Sequence, residues 1–421
     1  MNDEIVDMFG KTIEEIKEIC TVNPIQLTPL ELACKKDDAH RVRKLLRSKK
    51  HADRERGDDA LVIASELGHV ACVQEFVNAP GFDAGERWLD ALESACVYGQ
   101  DGCVRAILER PDCNVNKQKA EGEMEGCTVL MLACVTDREG CVRKLLDRPD
   151  CDVNKESSGA TTALMLACES GHEGCARALL ERPDCVVNRE NHKGMTALML
   201  ACKVGQEGCA RALLERPDCD VNRENHKGMT ALMLACHKGN ERDRFLFKLS
   251  TEEIEMYEKD IIEESIEEYT ASSMARRREG CVRKLLERPE CDVNRESKGG
   301  CTALMLACKA NHEGCARALL ERLECDVNKE DHKGMTALML AHLYGHESCE
   351  RAMTQQRGQE ISSAEKRENM NTICVPRMHA CNFCGRQAFG MKKCAGCSTA
   401  RYCNRDCQER DWNSHKTICN R

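Results

Sequence analysis

The chain has 421 residues and carries seven Phe, five Tyr and two Trp against 32 Cys, so there is room for about three domains but little aromatic mass for a thick core. A core of Ala, Leu, Val, Met and small thiols implies many thin layers instead. With 71 acidic and 62 basic side chains the formal charge is -9, which argues against a general nucleic-acid binder, and apolar runs such as Thr196 to Cys202 fall far short of the ~20 residues of a membrane helix.

The amino terminus, Met1 to Gly10, carries Asp3, Glu4 and Asp7 and lacks the basic start and apolar stretch of a secretory signal. The expected setting is intracellular, cytoplasmic or nuclear, where thiols stay reduced. Residues 1–24 are expected as a helical extension. From there to residue 354 the chain repeats itself. Weak copies stand at Thr28 to Cys34, Ala60 to Ser65 and Leu89 to Cys96, and a Thr-Val-Leu-Met-Leu-Ala-Cys string ends at Cys134. Thr-Ala-Leu-Met-Leu-Ala-Cys then ends at Cys168, Cys202, Cys236 and Cys308, with a further copy at Ala341-His342. From Cys134 the steps are 34, 34, 34, 72 and 34 residues, giving nine units with the last shortened.

Within Gly194 to Asn222 two amphipathic stretches are separated by Gly205: Leu198, Leu200, Ala201 and Cys202, then Cys209, Ala212, Leu213 and Leu214 at helical spacing. Pro217 is expected to stop the second helix, and the polar tip Asn225-His226-Lys227-Gly228 leads into Thr230. One such hairpin has too little apolar area to stand alone, so the units must stack. The period and the Gly194, Thr196, Leu198 and Ala201 signature resemble ankyrin repeats, with Gly171-His172 in the turn and Asp220-Val221-Asn222 at the unit end. Ala197 and Met199 stand where the family has Pro and His, and loss of that histidine is expected to loosen the link between neighbouring tips. The resemblance covers residues 25–354 and implies a mostly α solenoid of stacked helical hairpins.

The array cysteines form three columns, such as Cys202, Cys209 and Cys219 or Cys168, Cys175 and Cys185. Each column occupies a family Ala or Val position, and none forms a C-x2-C pair, so the thiols read as small buried hydrophobes rather than a metal ladder. The long step places an insertion at about 240–277. Its centre, Thr251 to Tyr269, has nine carboxylates with Ile254, Tyr257, Ile261, Ile262 and Ile266 at near-helical spacing. This predicts an acidic amphipathic helix, either packed on its own unit or docking a partner.

Residues 355–375 read as a polar linker, and residues 376–421 change character. Cys381-x2-Cys384, Cys394-x2-Cys397, Cys403-x3-Cys407 and His415-x3-Cys419 supply eight soft ligands, enough for two tetrahedral, structural zinc sites with no position left for water. The spacing, together with Tyr402, Gln408 and Asp411-Trp412, resembles the MYND zinc finger more than a RING finger. The resemblance implies an interleaved pairing, with Cys381, Cys384, Cys403 and Cys407 on one zinc and Cys394, Cys397, His415 and Cys419 on the other. It also implies docking of short proline-containing peptides, with Tyr402, Gln408 and Trp412 as candidate contacts. Cys374 and His379 read as bystanders. From Val375 onward nine Lys or Arg face three Asp or Glu, an excess that partly neutralises the metal thiolates.

Together these features predict a non-enzymatic adaptor, monomeric on its own, with one protein on the array and a peptide of another on the finger. Exposed contacts are expected at tips such as His192-Lys193 and His226-Lys227 and on the first helix near Met199 and Lys203. The alternative is a substrate-recruiting subunit of a ubiquitin-ligase or chromatin/methyltransferase complex. MYND fingers occur within lysine methyltransferases, but residues 25–354 leave no segment for a catalytic region.

Overall fold

The computed structural model describes residues 27–47, 57–79, 82, 85, 87–110, 113–119, 125–237 and 274–360, and four short strands between 379 and 402. The expected extension at 1–24, the acidic helix at 251–269 and most of the linker lie outside the described residues. The described helices follow one another as hairpins: α1 (Pro29–Lys35) with α2 (Ala39–Leu46), α3 (Gly57–Glu66) with α4 (Val70–Val77), and α5 (Arg87–Val97) with α6 (Asp101–Leu108). Next come α7 (Val129–Val135) with α8 (Glu139–Leu146), α9 (Ala163–Ser170) with α10 (Glu173–Leu180), and α11 (Ala197–Val204) with α12 (Glu207–Leu214). The series ends with α13 (Ala231–Cys236) and α14 (274–286), α15 (Ala303–Lys309) and α16 (Glu313–Leu320), and α17 (Ala337–Leu343) and α18 (Glu347–Glu360). By internal packing the described residues fall into two units. Among the described residues, the first runs to Ala201 and includes Gly208–Asp220; the second holds Cys202–Glu207, 221–237 and the described residues from 274 onward.

Most first helices start at a threonine, α3 and α5 being the exceptions. The Thr162 and Thr230 hydroxyls accept from the amides of Met165 and Met233 at 3.4 and 3.3 Å, a cap worth about 1 kcal/mol. The following Ala-Leu-Met-Leu-Ala-Cys string is buried almost throughout: Ala163, Leu164, Met165, Ala167 and Cys168 are all at most 2% exposed. Small Ala and Cys side chains let adjacent hairpins approach closely, while each Leu and Met contributes about 2 kcal/mol of apolar burial. Gly171 closes the α9 to α10 turn at φ 84°, where a Cβ would be strained; Asp37, Asp137 and Asn311 adopt the same region elsewhere.

Proline is not required to end the second helix. Leu323 replaces it after α16, yet α16 stops at the equivalent residue. Just past that end Arg322 pairs with Glu324 and donates to Leu286 O at 2.6 Å. Arg182 likewise grips Asp184 and Leu146 O, and Arg216 grips Asp218 and Leu180 O. Arg216–Asp218 is held at 2.9 Å, and because Asp218 is ionised against that guanidinium its carboxyl lies below the usual range.

The boundaries differ slightly from expectation. Helix α14 is described from 274, inside the expected insertion, and Met274 and Arg278 are buried there. Helix α18 continues to Glu360, past the expected end of the array, so the last unit has both helices. It is modified at its outer side instead: His342 and Glu350, 3.1 Å apart, occupy the positions of Cys308 and Ala316 one hairpin earlier. A polar outer face is what a terminal repeat requires.

Candidate protein-interaction surfaces

Within each unit, three bonding systems recur between neighbouring hairpins. At the loops, Asn188 Nδ2 donates to Asp218 O at 2.6 Å while its Oδ1 accepts from Asp220 N at 2.9 Å; Asn154 does the same to Asp184 and Val186, and Asn222 to Glu290 and Asp292. On the second helices, Arg177 reaches Glu173 in its own helix and Glu215 in the next, at 2.9 and 2.8 Å. These groups are 35% exposed or more, which limits each pair to about 0.2–1 kcal/mol. At the turns, His172 Nδ1 meets Cys134 O at 2.7 Å and His346 Nδ1 meets Cys308 O at 2.8 Å. Arg278 takes that place in the hairpin with the insertion, donating to Lys203 O and His237 O at 3.1 Å.

The tips are built just as locally. Asn225 Oδ1 accepts from Lys227 N and Met229 N at 2.9 and 3.0 Å, and Asp331 does the same for Lys333 and Met335. Neighbouring tips join through backbone, Lys298 N to Lys227 O at 3.1 Å and His192 N to Gly159 O at 3.3 Å. With methionine in the family's histidine position, backbone amides thus carry a link between these tips. His192, Lys193, His226 and Lys227 are exposed, as expected. Met199 is not: it is 1% exposed, as are Met165, Met233 and Met305, because this first-turn position points into the stack. Lys203 is half-buried. Exposed positions are thus found at the tips rather than on the first-helix face at Met199.

The thiols are packing groups. Of the described cysteines all but Cys301 and Cys325 are buried. Burial, the largest cause, pushes Cys151, Cys185 and Cys291 up from 9.0 to about 11. Among the described residues no three Cys, His, Asp or Glu side chains converge to hold an ion.

The carboxyl-terminal module is described through its strands. β1 (His379–Ala380) pairs antiparallel with β2 (Gln387–Ala388), and β3 (Lys392–Lys393) with β4 (Arg401–Tyr402), Lys392 opposite Tyr402. β1 also lies beside β4. The eight expected zinc ligands, Gln408 and Trp412 lie outside the described residues. Of the candidate peptide contacts only Tyr402 is placed, on β4.

Family models place these observations. A model of ankyrin repeats, three copies long, matches residues 30–119, 92–191, 183–255 and 271–364. The chain belongs to the ankyrin-repeat family. A MYND-finger model matches residues 381–419, so the array is followed by a zinc-binding MYND finger. Among solved structures, the human ASB11 ankyrin repeat domain is 21% identical, with 63% of this chain and 96% of that one covered and a TM-score of 0.45. The ankyrin repeat domain of Bcl-3 is also 21% identical, covering 62% and 97%, again with a TM-score of 0.45. Curated relatives are similar over short stretches: Tudor domain-containing protein 1 of Oryzias latipes, 43% identical over 45 residues, covering 11% of this chain and 4% of that protein; the zinc finger MYND domain-containing protein 10 homolog of Drosophila melanogaster, 51% over 41 residues, covering 10% and 9%; and N-lysine methyltransferase SMYD2-B of Xenopus laevis, 46% over 43 residues, covering 10% of each. The chain spans about a tenth or less of these relatives' lengths. The methyltransferases match this ankyrin-repeat chain only in the finger. Ankyrin repeats and a MYND finger both indicate protein partners, and among the described residues no helix is long and apolar enough to cross a membrane.

Proposed function

We propose that the chain is a non-enzymatic, intracellular adaptor in which the ankyrin array holds one protein and the MYND finger docks a short proline-containing peptide of another. The observation that carries this reading is the pairing of two interaction modules in one chain, matched at 30–255 with 271–364 and at 381–419. The array supports it by presenting exposed side chains on tips whose backbones are fixed by Asx turns and cross-tip amides. A tether raises the effective concentration of the second module once the first is bound, so modest affinities suffice.

The finger's donor set fits two zinc ions: seven thiols and one imidazole are soft and borderline donors. Cys381 and Cys384 fall in the connection between β1 and β2, and Cys394 and Cys397 in that between β3 and β4. Cys381 directly follows β1, Cys403 directly follows β4, and β1 lies beside β4. This adjacency supports assigning Cys381, Cys384, Cys403 and Cys407 to one ion, leaving Cys394, Cys397, His415 and Cys419 for the other. Zinc supplies folding free energy to a module with almost no apolar core. Tyr402, Gln408 and Trp412 are the proposed peptide contacts.

Affinity purification with the full chain, a version lacking 372–421 and 372–421 alone tests the proposal. Partners that partition between the two pieces support it; a single partner set that needs only the array demotes the finger to a stabilising cap.

A further inference from the structure

The adaptor reading gives no role to the most unusual feature of the array, its thiols. Their placement is regular. The second-helix thiol of one hairpin lies beside the first-helix thiol of the hairpin before: Cys72 by Cys34, Cys141 by Cys96, Cys175 by Cys134 and Cys209 by Cys168 in the first unit, and Cys315 by Cys236 and Cys349 by Cys308 in the second. Cys72, Cys175 and Cys349 Sγ meet the side chains of Asp37, Asp137 and Asn311, each three residues past the facing thiol, at 3.5, 3.9 and 3.9 Å. Backbone geometry gives the same register independently. Cys141 Sγ and Cys209 Sγ each lie 3.9 Å from the carbonyl oxygen of the residue before their partner, Ala95 and Ala167. All twelve thiols are at most 1% exposed. Cys103 holds the same position, with Sγ 4.0 Å from Ala64 O, but the residue after Ala64 is Ser65, so this interface has one thiol and one hydroxyl.

We propose that each of these inter-hairpin thiol pairs is a modification site, oxidised by peroxide to a disulfide that staples neighbouring hairpins together and is reversed by thiol reductants. One thiolate attacks the peroxide oxygen, giving a sulfenic acid and water. The second thiolate then displaces hydroxide from the sulfenic sulfur, forming the S–S bond and, with the released protons, a second water. In the closed array the reaction is blocked, since thiols at most 1% exposed are out of reach of peroxide, and reactivity requires access. A hairpin stack, however, is coupled only between neighbours, and terminal segments open most readily. Opening one interface exposes both members of its pair at once, and reclosing returns them to contact. The pairs at the ends, Cys34 with Cys72 and Cys308 with Cys349, therefore react before the inner pairs such as Cys134 with Cys175. Under a glutathione poise the resting state is the dithiol.

The test uses the full chain, reduced, exchanged into zinc-containing buffer and exposed to hydrogen peroxide. Remaining thiols are blocked, and linked peptides are mapped by mass spectrometry before and after dithiothreitol. The expected products are the in-register pairs, end pairs first, reversed by dithiothreitol, with Cys103 in no intra-array disulfide. Ser65→Cys adds the missing partner and is expected to create a linkage between positions 65 and 103 that the parent lacks. Oxidation confined to the finger, out-of-register linkages of equal abundance, or a Ser65→Cys variant that folds but forms no new linkage would each overturn the proposal.

Discussion

The buried third-column thiols make the array sensitive to alkali by a calculable amount. Cys151, Cys185 and Cys291 are each 3% exposed, and burial holds their pKa at about 11 against 9.0. Below pH 9 folded and unfolded chains both keep the proton, so these thiols stabilise fully. Between pH 9 and 11 the unfolded chain releases protons that the folded chain retains, and stability falls as pH rises. At pH 10 the loss is about 1.4 kcal/mol per thiol relative to pH 8, from 1.36 kcal/mol per pKa unit, or about 4 kcal/mol for the three. Urea unfolding followed by circular dichroism, in reductant at pH 8 and pH 10, measures it in the parent and in a Cys151→Ala/Cys185→Ala/Cys291→Ala variant. The variant starts less stable because alanine leaves small voids, but that cost is independent of pH and cancels in the comparison. It is expected to lose about 4 kcal/mol less than the parent on going to pH 10. Equal losses would refute the claim that burial sets these thiols' proton affinity.

Other outcomes follow from the same contacts. Asn188→Ala removes both bonds to the next hairpin and is expected to cost about 1–3 kcal/mol, read as a lower urea midpoint; Asn188→Asp keeps the acceptor for Asp220 N and should cost less. Glu215→Gln, on an exposed ladder, should change stability by less than about 1 kcal/mol in the same assay. Cys394→Ser is expected to lower the zinc content measured by native mass spectrometry and unfold the finger while the array melts as before; two ions per chain in that variant would contradict the ligand assignment. Trp412→Ala should keep both zincs and lose binding of a proline-containing peptide by fluorescence anisotropy, whereas lost zinc would mark it as a packing residue.

Much of this was legible in the sequence because each hairpin encodes its own local geometry. Thr162 and Thr230 mark helix starts through a bond to a residue three positions on, and the Leu, Ala and Cys periodicity marks the buried face. One expectation failed because it treated a hairpin as if it were isolated. Met199 was expected on an exposed face, but that face is covered once hairpins stack. Pro217 was expected to stop a helix, and Leu323 shows that the stop at the equivalent place does not require proline. Nothing inside one unit announces that Asn188 will bridge to a carbonyl 30 residues away; only recurrence of Asp-x-Asn and Arg-Pro-Asp at the period hints that these side chains serve the interface.

The same bonds explain how the array accommodates its insertion. The Asn bridge spans 30 residues from Asn188 to Asp218 and from Asn294 to Glu324, and 68 from Asn222 to Glu290. The difference is the 38 residues by which the long step exceeds the others, so the bridge reaches the equivalent atom as if the insertion were absent. This is possible because the Asn and Arg ladders lie at the loop and second-helix sides, whereas the extra residues enter at the turn between α13 and α14. At that turn Arg278, 4% exposed, donates to both His237 O, at the exit of α13, and Lys203 O in the hairpin before. It closes the base of the insertion with the contact that a histidine makes elsewhere, and it can span two carbonyls because a guanidinium carries several donors in a fixed fork where an imidazole has at most two. A deletion of 240–273 should consequently leave the array's urea midpoint close to the parent's while Arg278→Ala lowers it, and a partner that binds the deletion variant unchanged would exclude the acidic segment from docking.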